Sequence, residues 1–318
     1  MEVPEIAFGP VPSRRLGRSM GINNIPPKIC TYACAYCQLG QTIGMRVGRQ
    51  EFYDPCMVID SVSDKVRDVL AAGDTVDYLT LVPDGEPTLD ANLGSVIKGL
   101  KPLGVKIAVI SNSSLIDQED VRTDLAGADW VSLKVDSVRP DVWRRVDRPH
   151  GSLQLAGILE GLRVFAAGYD GELVTETMLC GGVNDSSDQL QDVAAFLAEI
   201  SPSTSYITVP IRPPAEEWVR LPDEATLNHA YQIVSGYVER VEVLSGYEGN
   251  EFSHTGDVRQ DILSITAVHP MRDDAVTQLL ERSEAGWDVV QGMVDTEQLV
   301  ESVYEGHRFY VRRLYRRA

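Results

Sequence analysis

Between residues 19 and 209 short apolar runs alternate with helix-like stretches, and this rhythm constrains the fold of the 318-residue chain more than any other feature. The runs read as strands over 19–23, 78–82, 105–110, 130–135, 173–179 and 205–209. Helical stretches are expected over 61–72, 92–100, 118–125, 153–167 and 190–200, with Gly104, Gly127 and Gly168 at the joins. Strands separated by helices mean repeated βα units and parallel pairing, so the expected class is α/β. An open doubly wound sheet and a barrel both satisfy the pattern.

A long polar loop, roughly 24–60, follows the first of these strands. It carries Cys30, Cys34 and Cys37 in the run CTYACAYC, with no further Cys or His close by. Structural zinc closes its shell with four ligands, and an ordinary four-iron cluster is held by four cysteines. Three thiolates therefore suggest a cluster with one iron left open for a small molecule. A partial zinc site or plain buried thiols is the bland alternative. The chain has five cysteines, an odd number with three clustered, which fits a reducing compartment better than a disulfide framework.

No apolar run approaches the length of a membrane span and no secretory signal is visible, so a cytoplasmic protein without a membrane partner is expected. The formal net charge of −18 opposes nonspecific nucleic-acid binding. Residues 1–50 run against that trend, with Arg14, Arg15, Arg18, Lys28, Arg46 and Arg49 against Glu2 and Glu5.

From about residue 257 the pattern changes to three short amphipathic helices and a β-hairpin turning at Glu305–Gly306. A small winged-helix-like domain over 257–318 is expected, joined through a connecting helix and strand in 222–256 to a core over 1–221. Residues 257–318 hold eight arginines against eleven acids. That balance disfavours a groove-reading helix, and DNA is not expected as a partner.

Polar motifs recur at strand ends. Gly85-Glu86-Pro87 follows the second strand and Ser111-Asn112-Ser113 the third. Lys134 and Asp136 lie two apart on the fourth, where alternation sends both to one face. A charge on the inner face of a barrel needs a partner. Arg148-Pro149-His150 and the stretch 211–216, with Arg212, read equally as ligand contacts or loop anchors. Cys180 reads as a buried thiol, and Cys56 is given no role.

CTYACAYC, with its aromatic Tyr36 before the last cysteine, resembles the CxxxCxxC motif of the radical S-adenosylmethionine superfamily. The opening FGPVPSRRLGRSMGINNIPPKICTYACAYCQLG, supported by VPDGEPTL, LKVDS and RPPAE, is nearest to iron–sulfur oxidoreductases related to the tRNA wyosine-synthesising branch. The resemblance covers roughly residues 8–220, and the chain lacks the cysteines that wyosine synthases carry ahead of the triad. It implies a partial (βα)6 TIM-like barrel, a [4Fe-4S] cluster on Cys30, Cys34 and Cys37, and S-adenosyl-L-methionine on its open iron. Tyr36, Gly85, Glu86, Pro87, Ser111, Asn112, Lys134 and Asp136 are the implied cofactor contacts, with Asp84 standing where the family has a glycine. It further implies an external one-electron donor of flavodoxin or ferredoxin type, and a 5′-deoxyadenosyl radical that abstracts hydrogen. The substrate is expected to be an RNA nucleoside or related small molecule. A peptide or protein docked by the C-terminal domain, and a non-enzymatic cluster-bearing DNA regulator, are the competing readings.

Overall fold

The computed structural model describes residues 6–245, 257–268 and 270–313. The first part contains β1 (Ala7–Ser13), β2 (Gly17–Ile22), β3 (Ile29–Cys30), β4 (Gly44–Met45), α1 (Pro55–Ala71), β5 (Tyr78–Leu81), α2 (Leu93–Leu100), β6 (Lys106–Ser111), α3 (Glu119–Leu125) and β7 (Trp130–Lys134). It continues with α4 (Pro140–Val146), α5 (Leu155–Gly168), β8 (Glu172–Met178), α6 (Ser187–Ile200), β9 (Thr204–Thr208), α7 (Glu224–Ser235) and β10 (Val241–Leu244). Among the described residues, eight strands form one sheet in the order β1-β2-β5-β6-β7-β8-β9-β10. Every neighbouring pair is parallel except β1 with β2.

Alternation along each strand divides the side chains between two layers. Leu79, Leu81, Ile107, Val109, Val131, Leu133, Leu173 and Ile207 point outward into one core with the helices. α1 supplies Val58, Val62, Val66 and Val69, one face at helical spacing. Its start is set by Pro55 at the first turn and by Asp54, whose side chain accepts from the Cys56 N–H. The alternate residues point inward. Ala108, Trp130, Val174, Tyr206 and Leu244 join Leu16, from the β1–β2 turn, in a second buried cluster. The inner set includes residues near both ends of the strand order, so the sheet curls around a lumen that this cluster plugs at one end.

The six expected strands are all present and adjacent in the expected order. Two more flank them. β1 is an antiparallel edge strand with a register break between Phe8 and Val11. Residues 222–245, expected as a connector, form α7 and β10, and β10 pairs with β9 as a seventh parallel strand. The rest of that expected connector, 246–256, lies outside the described residues.

The C-terminal part runs α8 (Val258–Val268), β11 (Met271–Arg272), α9 (Asp273–Arg282), α10 (Trp287–Asp295), β12 (Leu299–Tyr304) and β13 (His307–Arg312). The hairpin turns at Glu305 and Gly306, both with positive φ, as a two-residue hairpin loop requires. Short β11 pairs with β13 and makes a third strand. Ile262, Met271, Leu279, Met293, Leu299 and Tyr310 form a separate core, and Val11 of β1 packs against it. The Tyr304 hydroxyl donates to the Pro210 carbonyl at 2.7 Å. Of the terminal arginine run, Arg316 and Arg317 lie outside the described residues.

Candidate active site

The cysteine loop is pinned by backbone hydrogen bonds to the neighbouring segments 84–86 and 146–150. The Lys28 N–H donates to the Asp84 carbonyl at 2.7 Å, and the Glu86 N–H to the Ile29 carbonyl at 3.1 Å. On the far side Ala33 and Ala35 donate to the carbonyls of Arg148 and Val146, and His150 donates to that of Thr31. The Trp143 indole N–H on α4 reaches the Tyr32 hydroxyl at 3.2 Å. Arg148 itself pairs with Glu216. The segment 148–150 thus acts as a loop anchor. Gly85 fits where nothing larger would: a Cβ there would lie 2.0 Å from the Ile29 carbonyl oxygen.

Glu86 is 1 % exposed and organises the ends of β5 and β6. One carboxylate oxygen accepts from Thr88 Oγ1 at 2.6 Å, the Thr88 N–H at 3.1 Å and Ser111 Oγ at 2.8 Å. The other accepts from the Asn112 N–H at 2.8 Å. Burial raises the Glu86 pKa against these four donors. The Asn112 side-chain amide donates to Thr31 Oγ1 at 2.8 Å and stands 3.5 Å from Cys30 Sγ. Pro87 opens the 3-10 turn that carries Thr88.

A second polar group lies on the opposite side of the loop. The Tyr36 hydroxyl donates to Asp136 and lies 3.3 Å from Asp147 Oδ1, while Cys34 Sγ is 3.8 Å from the same oxygen. Asp136 also accepts from the Met178 N–H at 2.7 Å. Burial, then the charge of Asp136, pushes the Asp147 carboxyl well above the usual range. The Lys134 ammonium sits over the Tyr36 ring, 4.8 Å from its centroid, and bonds Glu176 at 2.9 Å. Arg15 pairs with the other Glu176 oxygen. Burial opposes the charge on Glu176, but Lys134 and Arg15 overcome it and hold the carboxyl down at about 2. Burial likewise opposes the Lys134 charge, and Asp136 and Glu176 outweigh it and raise its pKa.

Glu176→Gln is therefore expected to destabilise the chain by on the order of 3 kcal/mol at pH 7, where a buried ion-pair network is broken. Glu176 titrates at about 2 when folded against an ordinary 4.5, so its contribution is complete above 4.5 and drains away as the pH falls towards 2. Urea midpoints at pH 7 and at about pH 3.5 should show the gap between parent and variant narrowing at the lower pH. An equal gap at both would contradict the arrangement.

Lys134, Glu176 and Tyr36 face a cavity of about 330 Å³ inside the curled sheet. Cys37 and Gln38 of the loop line it, together with Phe8 and Val11 of β1 and Leu244 of β10. Arg212, 8 % exposed, also lines it and donates to Gln38 Oε1 at 2.7 Å. Among the expected contacts, the structure gathers Tyr36, Lys134 and Asp136 on one side of the cysteine loop and Gly85, Glu86, Pro87, Ser111 and Asn112 on the other. Sequence reasoning missed Arg15, Asp147 and Glu176. Glu176 carried a usable signal, since it alternates with Val174 and Met178 on a strand beside Lys134. Cys180 is fully buried in an apolar cluster with Val142, Val146 and Val219, and Cys56 is exposed on α1.

Burial raises the thiol pKa of all three clustered cysteines, that of Cys30 to about 12, with the charge of Glu86 adding to it. At Cys37 the charges of Lys28 and Lys134 work the other way and favour the thiolate. Among the described residues, no three His, Cys, Asp or Glu side chains converge closely enough to share a single metal ion. The three thiols sit on one loop and interact electrostatically with one another.

A family model for the Radical SAM superfamily matches residues 24–197, which include the cysteine loop, Glu86, Asn112, Lys134, Asp136 and Glu176. The UPF0026 protein of Methanocaldococcus jannaschii is 43% identical over 97% of this chain and 96% of its own length. The UPF0026 protein of Helicobacter pylori is 35% identical over 71% of this chain and 73% of its own. The solved structure of TYW1 with a lysine–pyruvate adduct bound superposes with a TM-score of 0.54 at 15% identity, covering 70% of this chain and 74% of that one, a likeness of fold. The chain belongs to the Radical SAM superfamily, whose enzymes use a [4Fe-4S] cluster together with S-adenosylmethionine.

Proposed function

We propose that the cysteine loop and the lumen form one active site, in which a hydrogen atom is abstracted from a small substrate held inside the curled sheet. The observation that carries this reading is the position of Cys37, which lines both the loop and the 330 Å³ cavity. That volume lies within the roughly 300–1,000 Å³ of small-molecule sites. The donor set fits the family's cluster: Cys30, Cys34 and Cys37 would each serve a separate iron, and one iron would be left without a protein ligand. When bound, the cluster and S-adenosylmethionine supply a one-electron cleavage that yields a carbon radical. This requires an external low-potential electron donor, of flavodoxin or ferredoxin type.

The chain's own residues bind, orient and exclude water. The three thiols would give up their protons to hold the cluster, and the Asn112 amide is placed to donate to the Cys30 sulfur. Glu86 Oε2, which accepts from the Asn112 N–H, has acceptor capacity for one more donor, and the methionine ammonium of the cofactor would supply it. Tyr36 and Asp136 fix the loop beside Cys34, and Lys134 presents a cation where a carboxylate would be neutralised. The apolar plug below the lumen keeps water from entering through that end.

The order α8–β11–α9–α10–β12–β13 supports reading residues 257–313 as a winged helix. We divide the chain accordingly, at the segment before α8. Asp273, Asp274 and Glu301 line the cleft between its helices and hairpin, which weighs against DNA phosphate there. No helix among the described residues is long and apolar enough to cross a membrane.

Anaerobic reconstitution should yield about four irons and four sulfides per chain, as a [4Fe-4S] centre demands. Under reductant, 5′-deoxyadenosine and methionine should form in equal amounts. A reconstituted cluster that never cleaves the cofactor would refute the reading.

A further inference from the structure

One face of the cysteine loop is open to solvent. Residues 42–46 run alongside 28–32. The Thr42 hydroxyl donates to the Tyr32 carbonyl at 2.7 Å, the Gly44 N–H to that of Lys28 at 2.9 Å and the Arg46 N–H to that of Cys30 at 3.1 Å. In the short parallel ladder of β3 and β4, Met45 is the partner of Cys30. Ile43 is 67 % exposed and Met45 38 %. Two large apolar side chains thus stand in water on the strand that pairs with the first of the three thiols.

The charge around them departs from that of the whole molecule. The chain carries a formal charge of −18, yet from Gln38 to Gln50 it has no acidic residue. Of the two cations in that stretch, Arg49 is taken up by Asp120 and Asp124. Arg46 is not. Its guanidinium donates to Gln50 Oε1 at 2.8 Å and lies over the Phe52 ring, 5.9 Å from the centroid, and among the described residues no carboxylate pairs with it. An apolar centre beside an arginine, with the exposed and uncharged Gln41, Gly48 and Gln50 around it, has the composition of an interface.

We propose that Ile43, Met45 and Arg46 form the docking face for the one-electron donor, a small redox protein with acidic side chains around an apolar opening to its own redox group. This rests on the cluster reading above and adds where the electron enters. One electron leaves the carrier for the cluster, no covalent bond changes, and the step needs no proton. An acidic carrier is repelled by a chain of this net charge and meets no carboxylate on this stretch, so it is steered to the strand that pairs with Cys30. The patch is small, as transient electron-transfer encounters are, which bury less than about 1,200 Å².

The test uses the anaerobically reconstituted full chain with S-adenosylmethionine and compares an acidic flavodoxin with dithionite as reductant. Met45→Glu, which puts a like charge at the centre of the face, should weaken the binding of oxidised flavodoxin roughly tenfold or more. Flavodoxin-driven formation of 5′-deoxyadenosine should fall by a similar factor at limiting carrier. With dithionite the rate and the iron content should equal the parent's, since the Met45 side chain is exposed and the ladder uses its backbone. Ile43→Glu should behave in the same way. Arg46→Gln should cost roughly threefold in binding and make it less sensitive to salt. A parent that cleaves no cofactor with dithionite overturns the cluster reading, and the binding measurement still judges the face. Flavodoxin that binds and drives parent and Met45→Glu alike, or that neither binds nor drives the parent, overturns the docking face alone. So does a parent dimer split by Met45→Glu, which would give the face to a second copy of the chain.

Discussion

Replacing Cys34 with alanine is expected to lower iron per chain at least about tenfold after reconstitution and to bring 5′-deoxyadenosine formation to background. A four-iron cluster normally has four protein thiolates, and here three are available, so the loss of one leaves two corners without support. The effect should be equally severe for Cys30→Ala and Cys37→Ala, because each thiol would hold its own iron and none duplicates another. The loop itself should survive. It is held by backbone bonds to Asp84, Val146 and Arg148 and by the Glu86–Ile29 contact, none of which uses a sulfur. Far-ultraviolet circular dichroism should therefore match the parent. Cys56→Ala is the control: Cys56 is exposed on α1, and this variant should keep its full iron complement. Retention of a complete cluster by any of the three loop variants would overturn the assignment.

The same loop illustrates what a sequence can and cannot convey. The cysteine cluster stood out because three residues of one rare type at close spacing are a local pattern. So were the six central strands, whose apolar runs sit in a buried parallel sheet between helices and a filled lumen. β1 escaped because Gly9, Pro10 and Pro12 interrupt it, and prolines are tolerated in a sheet at an edge. α4, seven residues long, gives too few turns for a periodic signal, yet it carries Trp143 against Tyr32 and leads into the segment that anchors the loop. Glu176 and Arg15 are separated by 161 positions, and no local pattern couples them. Lys134 was recognised as an inward charge needing a partner. The partner is chiefly Glu176 across the β7–β8 pairing, with Asp136 adding field from beyond the strand end. Parity along a strand says which residues face inward. It takes the sheet order to say which of them meet.

Gly85→Ala should be as informative as a cysteine change, through a different physical cause. A Cβ at this position would stand 2.0 Å from the Ile29 carbonyl oxygen and 2.9 Å from the Ile25 side chain. The isoleucine methyl can rotate aside, but the carbonyl cannot, because it accepts the Glu86 N–H at 3.1 Å and belongs to the bridge that joins Gly85 to Ile29. Relief requires the two backbones to part by about an ångström, which breaks that hydrogen bond and shifts Cys30, the next residue along. Overpacking of this kind costs on the order of 3 kcal/mol. That corresponds to a melting point roughly 4–5 °C lower for a chain of this size. Cluster uptake should fall with it, since the first thiol and the Glu86 network move together. Gly48→Ala provides the contrast within the same long loop. No described atom lies within 4 Å of a Cβ at Gly48, and its backbone is not in the left-handed region. Alanine there restricts the unfolded chain and should leave the melting point level or slightly higher. If Gly85→Ala matches Gly48→Ala in both melting point and iron content, the close approach of β5's end to the cysteine loop is not what holds the loop in place.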